Sequence, residues 1–262
     1  MKKVMLAVCL GLLAINIQAQ NKETVSIKIL TFNILHGATT QNTFDLDAIA
    51  KVIIDAQPDF VALQEVDFRT NRAHQYDLTT ELAYRSKLIP LFGRAMYYDG
   101  GEYGEGILSK HSIVASTNIP LPYQEGDEPR TALSVTSVLP SGDTIAFIAT
   151  HLDHKTDGTS RQLQTNMLAK IGKQCTYPAI LAGDLNALPH SKAISILEKE
   201  WTPSYNRSHP KATYPSHNPT QKIDYILMKP SHKWKVIDRR VIADTIASDH
   251  CAYLVTLELQ KQ

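Results

Sequence analysis

The chain has 262 residues, of which 43% are hydrophobic and 20% are charged, and its formal net charge is +1. This composition excludes a highly charged, low-complexity disordered protein and is typical of a globular chain with a sizeable core. A net charge so close to zero, without a basic tract, gives no support for sequence-independent binding to nucleic-acid phosphates.

The first 19 residues have the pattern of a secretory signal peptide. Lys2 and Lys3 form a basic start, an apolar stretch follows from 4 to 17, and Ala19 ends the segment at a predicted cleavage site. The apolar stretch is shorter than the roughly 20 residues that a membrane-spanning helix needs. We therefore predict an exported protein, secreted or periplasmic, in which residues 20–262 form a single domain. Loss of the two lysines changes the net charge from +1 to −1.

Two cysteines, Cys175 and Cys251, remain after the signal segment. They could pair in an oxidising compartment, but nothing in the sequence locates them together, so the pairing stays open. The mature segment has no second long apolar span and no visible repeat, and we expect a monomer.

The first half of the mature chain contains apolar runs of strand character and two amphipathic segments. The runs 26–35 and 60–63 are rich in Ile, Leu, Phe and Val, as strands are. Between them, Asp45 or Asp47 can cap a helix whose apolar residues recur at helical spacing. The further elements predicted in this half are a helix over 77–88 and strands over 91–98, 106–109, 132–138 and 144–149.

The second half continues with short strands and few helices. The predicted helices are 159–173 and 191–200, and the predicted strands are 178–181, 223–228, 234–242 and 251–259. The proline-rich segment 203–220 between them is predicted to be a loop. Many strands with few helices, in no strict βαβ order, indicate mixed sheets packed together with helices outside.

Polar side chains lie where the apolar runs end. After the run 178–181, Gly183 permits a close backbone turn, and the i, i+2 spacing of Asp184 and Asn186 sends both side chains the same way. A carboxylate and a carboxamide so placed can hold a water molecule or a hard cation.

Several other acids, amides and imidazoles share this position beside an apolar run. Each alone has an ordinary structural explanation, such as a turn, a helix cap or a surface salt bridge. Buried acids and imidazoles are costly unless they are paired or bind a metal, so their joint occurrence predicts one shared pocket. The residues in this set are Asn33, Glu65, His151, Asp184, Asn186, Asp224, Asp249 and His250.

Seven short motifs in order resemble the endonuclease/exonuclease/phosphatase superfamily, which includes DNase I-like nucleases, neutral sphingomyelinases and inositol polyphosphate 5-phosphatases. The motifs are TFN (31–33), LQEVD (63–67), GILSK (106–110), THLD (150–153), GDLN (183–186), IDYI (223–226) and SDH (248–250). The resemblance extends over about residues 26–259. It implies an α/β (α+β) four-layer sandwich, in which two mixed, mostly antiparallel sheets pack together and are flanked by helices.

The resemblance also implies a role for each acid. Glu65 would be the principal ligand of a Mg²⁺ or Mn²⁺ ion, with Asn33 and Asp249 nearby, since hard divalent cations prefer oxygen donors. Asp184, oriented by Asn186, would position and deprotonate the attacking water.

Two histidines would donate to phosphate oxygens. The resemblance implies that Asp224 holds His250, and that an acid partner favours the charged imidazole. Glu105 precedes GILSK where DNase I-like members place an acid that supports the first histidine, so we pair Glu105 with His151.

Arginines are the remaining candidates for contact with a phosphate group. Arg130 has no fixed counterpart across the family, and both a phosphate contact and a salt bridge with Glu128 stay open. Arg69, Arg72 and Arg161 could form phosphate forks or be solvated surface residues.

We therefore predict an exported phosphoesterase, dependent on Mg²⁺ or Mn²⁺, that hydrolyses a phosphodiester or a phosphomonoester by direct attack of water activated by Asp184. The alternative is a non-catalytic protein that binds a phosphate ligand on the same fold. Within the enzyme prediction, a nuclease, a sphingomyelinase-like enzyme and an inositol or sugar-phosphate phosphatase all stay open. The substrate would accordingly be a small molecule, a lipid headgroup or a nucleic acid.

Overall fold

Two six-stranded sheets form the framework of the described part of the chain. The structure, a computed structural model, describes residues 24–260, so the predicted signal segment lies outside the described residues. Across residues 24–260, no helix combines the length and the apolar character that crossing a membrane requires.

The first sheet is built mainly from the N-terminal half of the chain. Its strands are β1 (Val25–Asn33), β2 (Phe60–Phe68), β3 (Ile89–Tyr98), β4 (Gly101–Ser109), β11 (Trp234–Ile242) and β12 (Ala252–Leu259). They are arranged in the order β11-β12-β1-β2-β4-β3. Only β1 and β2 run parallel, and every other neighbouring pair is antiparallel.

The second sheet has the same number of strands and a single parallel pair, β7 with β8. Its strands are β5 (Ser112–Leu121), β6 (Arg130–Val138), β7 (Thr144–His151), β8 (Ala179–Asp184), β9 (Thr202–Pro203) and β10 (Asp224–Lys229). Their order is β5-β6-β7-β8-β10-β9.

Four helices cover the outer faces of the sheets, two on each. They are α1 (Leu46–Ala56) and α2 (Leu78–Ser86) on the first sheet, and α3 (Thr159–Gln174) and α4 (Lys192–Leu197) on the second. Of the two predicted caps for α1, Asp45 is the residue used, because its carboxylate accepts the N–H groups of Asp47 and Ala48 at 3.0 Å.

The inner faces of the two sheets meet in a core of aliphatic and aromatic side chains. Phe60 of β2 and Phe147 of β7 are fully buried there, and their ring centroids lie 5.2 Å apart across the interface. Burial of each ring contributes about 1.5–3 kcal/mol to stability. The predicted four-layer sandwich is confirmed.

Strand β5 is the main element that the sequence analysis did not predict. It lies at the edge of its sheet, and most of its side chains are exposed. Ser, Thr and Asn residues interrupt the apolar pattern, so the alternation that marks a half-buried strand is absent from Ser112–Leu121. Cys175 and Cys251, whose pairing the sequence left open, are both free thiols.

Gly183 is required for a different reason from the one predicted. It lies inside β8 rather than in a turn, and a Cβ at this position would lie 1.9 Å from the carbonyl oxygen of Thr150 on the neighbouring β7. The absence of a side chain therefore permits the close approach of the two parallel strands that deliver the site residues.

We expect Gly183→Ala to lower the free energy of unfolding by at least about 3 kcal/mol, because the atom that the new methyl group meets is backbone and cannot rotate away. Gly126→Ala is the control: its φ is +83° but no atom lies within 4 Å of the added Cβ, so it should cost only about 1–2 kcal/mol. Urea unfolding of both variants measures the difference. Equal losses would contradict this account of Gly183.

Candidate active site

Three titratable residues form a row across adjacent strands of the second sheet. His151 at the end of β7 is in register with Asp184 at the end of β8, and Asp184 is in register with Asp224 at the start of β10. Residues paired in this way project from the same face of a sheet. All three side chains are buried, and sheet pairing therefore creates the row without help from loops.

His250 completes the row from the loop before β12. Its Nδ1 lies 3.2 Å from both carboxylate oxygens of Asp224, and its Nε2 lies 3.6 Å from Oδ2 of Asp184. Ser248 fixes this loop, since its hydroxyl donates to the carbonyl of Asn33 at 2.7 Å and accepts the N–H of His250. The imidazole thus lies between two carboxylates.

The two carboxylates determine the charge of the ring. Burial lowers the pKa of His250, but the charges of Asp224 and Asp184 outweigh it and raise that pKa to about 10. Burial raises the pKa of Asp184 to about 7, although the His250 charge opposes this. The site therefore places the protonated His250 beside Asp184, whose carboxyl group titrates near neutral pH.

His151 has a different partner from the one predicted. Its Nδ1 lies 2.8 Å from Nη1 of Arg130, and there is no hydrogen bond to Glu105. Because a guanidinium can only donate, Nδ1 accepts, and the neutral ring carries its proton on Nε2, which lies 3.0 Å from the side-chain amide of Asn186 and 3.4 Å from Oδ2 of Asp184. Burial and the Arg130 charge hold the pKa of His151 well below its usual range. His151 is therefore neutral, contrary to the charged imidazole that the resemblance implied.

Glu105 is fully buried beneath this part of the site. Neither of its carboxylate oxygens has a hydrogen-bond partner among residues 24–260. Burial raises the pKa of Glu105 well above its usual range, and the charge of Arg130 only partly offsets this. The predicted supporting acid is accordingly present in the site, where burial favours its protonated form, and it does not hold the histidine.

Glu65 reaches the same site from the first sheet because of a β-bulge. The pairing of β2 with β4 shifts register between Leu63 and Val66, and Glu65 has a φ of +57°. A bulge re-aims the side chain at its extra residue. Asn33 links the two sheets here, since its Nδ2 donates to Glu65 Oε1 at 3.0 Å and lies 3.4 Å from Asp184 Oδ2. The structure thus brings Glu65 beside Asp184, as the sequence analysis required.

The oxygen donors of this region fit a hard divalent cation. Burial opposes ionisation of Glu65, but hydrogen bonds from His36 and Asn33 outweigh it and lower the pKa of Glu65 to about 2, so the carboxylate is charged. The half-buried Asp249 lines the same cavity. Asn33 directs its nitrogen toward Glu65, while its Oδ1 accepts the N–H of Leu35 at 3.1 Å, so it orients Glu65 in this structure.

A second group of possible metal ligands already contains its own positive charge. It consists of Asp184, Asp224 and His250, each of which offers one atom within 4.8 Å of the other two. The protonated His250 offsets the two carboxylates, so Glu65 and Asp249 are the better donors for a cation.

One cavity of about 690 Å³ is lined by Glu65, His151, Asp184, Asn186, Asp249 and His250, whereas Asn33, Glu105 and Asp224 are not among its lining residues. Of the predicted phosphate contacts, Arg130 and Arg161 line it, whereas Arg69 does not: Arg69 is exposed, with its guanidinium 5.3 Å from the Phe68 ring centroid. Arg130 also makes the salt bridge with Glu128 that the sequence left open, at 3.4 Å. The substrate-binding prediction for Arg69 therefore has no support in the structure.

Two further residues shape this cavity. Arg72, whose phosphate contact the sequence left open, lines it and is held by a two-bond contact with Asp67 at 2.6 and 2.8 Å. Tyr214, from the predicted proline-rich loop, packs on the His250 ring with centroids 4.8 Å apart. Tyr214 was missed because it lies in a loop that belongs to none of the strand-end motifs.

The family assignment follows from comparison with known proteins. Residues 30–250 match the Endonuclease/Exonuclease/phosphatase family. The chain belongs to this family. Its members are phosphoester hydrolases and generally depend on a divalent metal, and the oxygen donors of Glu65 and Asp249 are compatible with that dependence. No protein of curated function matches the chain significantly in sequence.

Solved structures of the family share the fold at low identity. An endonuclease/exonuclease/phosphatase from Beutenbergia cavernae is 22% identical, with a TM-score of 0.72 over 90% of this chain and 72% of its own. A family protein from Bacteroides thetaiotaomicron is 18% identical, with a TM-score of 0.74 over 91% and 100%. A mannosyl-6-phosphatase from the same organism is 18% identical, with a TM-score of 0.69 over 88% and 99%.

The Arg130 contact can be tested by titrating the histidines with NMR in the metal-free protein. We expect His151 to stay neutral, with its proton on Nε2, at pH values well below about 6.5, which is the ordinary pKa of a histidine. Arg130→Met should raise its pKa, because the guanidinium charge is lost, while Arg72→Met, in the same cavity, should not. Titration of wild-type His151 near its ordinary value would contradict the assignment.

The low pKa of His151 also makes the free energy of unfolding depend on pH. Below pH of about 6.5 the unfolded chain takes up a proton at His151 that the native state does not, so this residue makes the protein less stable as the pH falls. Arg130→Met should reduce that pH dependence.

Proposed function

We propose that the protein is an exported, divalent-metal-dependent hydrolase of small phosphate esters. The observation that carries the proposal is that Asp184 and His250, which is held by Asp224, line the same cavity as Glu65 and Arg130. Such a site can bind a phosphate group, activate water and stabilise negative charge in one place.

Asp184 is the proposed general base. Its Oδ1 accepts the N–H of Asn186 at 2.9 Å, which fixes the carboxylate, and its Oδ2 lies 3.4 Å from Nε2 of His151 and 3.6 Å from Nε2 of His250. A pKa of about 7 suits removal of a proton from water near neutral pH. The water oxygen forms a bond to phosphorus as the ester P–O bond breaks, and the water proton passes to Asp184. The alcohol oxygen leaves with the bonding electron pair and takes up a proton from solvent.

Donors around Asp184 would hold the phosphate group. His250 presents a charged N–H from Nε2, and His151 presents a neutral N–H from the opposite side of the row. The two histidines thus differ in charge, because His250 faces acids and His151 faces Arg130. Donors fixed before the reaction stabilise charge that develops on the phosphate oxygens.

Glu65 and Asp249 would hold the metal, with Asn33 orienting Glu65. A bound Mg²⁺ or Mn²⁺ supplies charge neutralisation to the phosphate oxygens and the leaving oxygen.

The cavity supports a small substrate. Its volume of about 690 Å³ lies within the range of small-molecule sites, which is roughly 300–1,000 Å³. Arg72, Arg130 and Arg161 line the same cavity as Asp184, which suits a compact, highly charged ester. The neighbour named as a mannosyl-6-phosphatase has the same fold and is named for a small phosphate ester, and this agrees with the proposal.

Export and a single-domain mature chain are part of the proposal. They rest on the signal-peptide pattern of residues 1–19 and on the continuity of the fold through the described part of 20–262. The monomeric state is likewise proposed.

We expect the purified protein to hydrolyse bis-p-nitrophenyl phosphate, p-nitrophenyl phosphate or sugar phosphates with Mg²⁺ or Mn²⁺, and EDTA to abolish the activity. Asp184→Asn should lower kcat by about 10²–10⁴, because it removes the base. Asp55→Asn, at an exposed salt bridge with Lys51, should leave it unchanged.

The same assay separates the alternatives. DNA, RNA, sphingomyelin and inositol phosphates are tested beside the small esters. Hydrolysis confined to DNA, RNA or sphingomyelin would reject the small-substrate proposal. Wild-type turnover in Asp184→Asn would reject the mechanism, and binding of a phosphate ligand without any hydrolysis would favour the non-catalytic alternative.

Metal binding has a test that does not depend on turnover. Glu65→Gln should weaken Mn²⁺ binding, measured by electron paramagnetic resonance, by at least about tenfold, because it removes the ionised oxygen donor. Glu128→Gln is the matched control, since Glu128 lines the same cavity but pairs with Arg130. Equal affinity in the Glu65→Gln and Glu128→Gln proteins would contradict the assigned ligand.

A further inference from the structure

A second cavity, of about 290 Å³, lies on the other side of the segment that leads into β10. Lys211, Lys222 and Arg239 line it together with the aromatic residues Tyr205 and Tyr253, and no acidic side chain is among its lining residues. A cavity with several cations and no acid attracts an anion.

Lys222 faces this cavity because side chains alternate along an extended backbone. Gln221 and Ile223 line the active-site cavity, whereas Lys222, between them, lines the second one. Its ammonium donates to the carbonyl of Asp224 and lies 3.6 Å from the Tyr253 ring centroid. The side chain is buried and forms no salt bridge with any carboxylate in residues 24–260.

A lysine in this position has donors to spare. An ammonium has three N–H groups, and only the bond to the Asp224 carbonyl is made here. Burial lowers the pKa of Lys222 to about 7, which shows how little the protein's own groups offset its charge. An anion in the cavity would supply the missing acceptor and charge.

Arg239 provides a second unused donor. It lies on the edge strand β11, and its Nε is buried with no hydrogen-bond partner in the described part of the chain. The adjacent Arg240 is exposed and pairs with Asp238 at 3.0 Å. Buried donors in native proteins almost always have an acceptor, so the unpaired Nε also points to a ligand.

We propose that this second cavity binds a phosphate-sized tetrahedral oxyanion between Lys222 and Arg239. A tetrahedral anion offers acceptor oxygens in several directions, so it can bond to donors that come from different strands. The tyrosine rings bound the space and limit it to a small ligand. This site is independent of the proposed catalysis.

The test is an NMR titration of the protein, labelled with ¹³C-lysine, with inorganic phosphate in the presence of EDTA. The Lys222 ε-methylene signal should be resolved, because the ring of Tyr253 lies over its ammonium and shifts it upfield. Disappearance of this signal in Lys222→Met assigns it to Lys222. If that variant does not fold, contacts between the signal and the Tyr253 ring protons give the same assignment. We expect a saturable shift with a Kd on the order of 1 mM.

Variants separate this site from phosphate bound in the active site. Arg239→Leu should weaken the titration by at least about tenfold, whereas Arg240→Leu, which makes the same charge change outside the cavity, should alter it by less than about twofold. A Lys222 signal that does not move would overturn the proposal. An equal midpoint in wild type and in a folded Arg239→Leu protein would also overturn it, since the anion would then be elsewhere.

Discussion

The cost of burying charge is the constraint on which the site depends. The pairing of β7, β8 and β10 forces His151, Asp184 and Asp224 into one row inside the protein, where unpaired carboxylates are strongly unfavourable. The protein meets this cost by placing the protonated His250 between the two acids. The SDH loop must therefore dock on β1 through Ser248, because without that contact the acids would lose their cation. The two sheets are joined at this point by electrostatics as well as by the apolar core.

The same constraint gives each titratable group around the row a different charge. His250 faces acids and is protonated, while His151 faces Arg130 and is neutral. Glu105 has no hydrogen-bond partner among the described residues and burial raises its pKa, while Glu65 accepts hydrogen bonds that lower its pKa. Sites at which two residues of the same type carry different charges are characteristic of acid–base and phosphoryl-transfer catalysis. The difference between the two histidines explains how one can hold anionic oxygens by charge and the other by a directed N–H.

Sequence could predict those parts of the site that depend on regular strands. Asp184 and Asp224 stand directly at strand ends, and alternation fixes which way they point. The partner of His151 is Arg130, which comes from the neighbouring strand β6, and sequence alone could not show this contact. Glu105, chosen because it precedes a motif, was the wrong partner. The bulge at Glu65 needs a φ of +57°, which no local residue preference predicts for glutamate. Strand β5 was missed since an exposed edge strand carries no apolar alternation.

The extended segment 221–224, which leads into β10, supplies lining residues to both cavities. Its alternating side chains direct Gln221 and Ile223 to one side and Lys222 to the other, and the next residue, Asp224, holds His250. The ammonium of Lys222 bonds to the backbone of Asp224 rather than to its carboxylate. If it neutralised the carboxylate, the charge that keeps His250 protonated would be reduced. The lysine is thus kept on the far side of the strand with its charge unmatched, and an anion in the second cavity would offset that charge without disturbing the acid row.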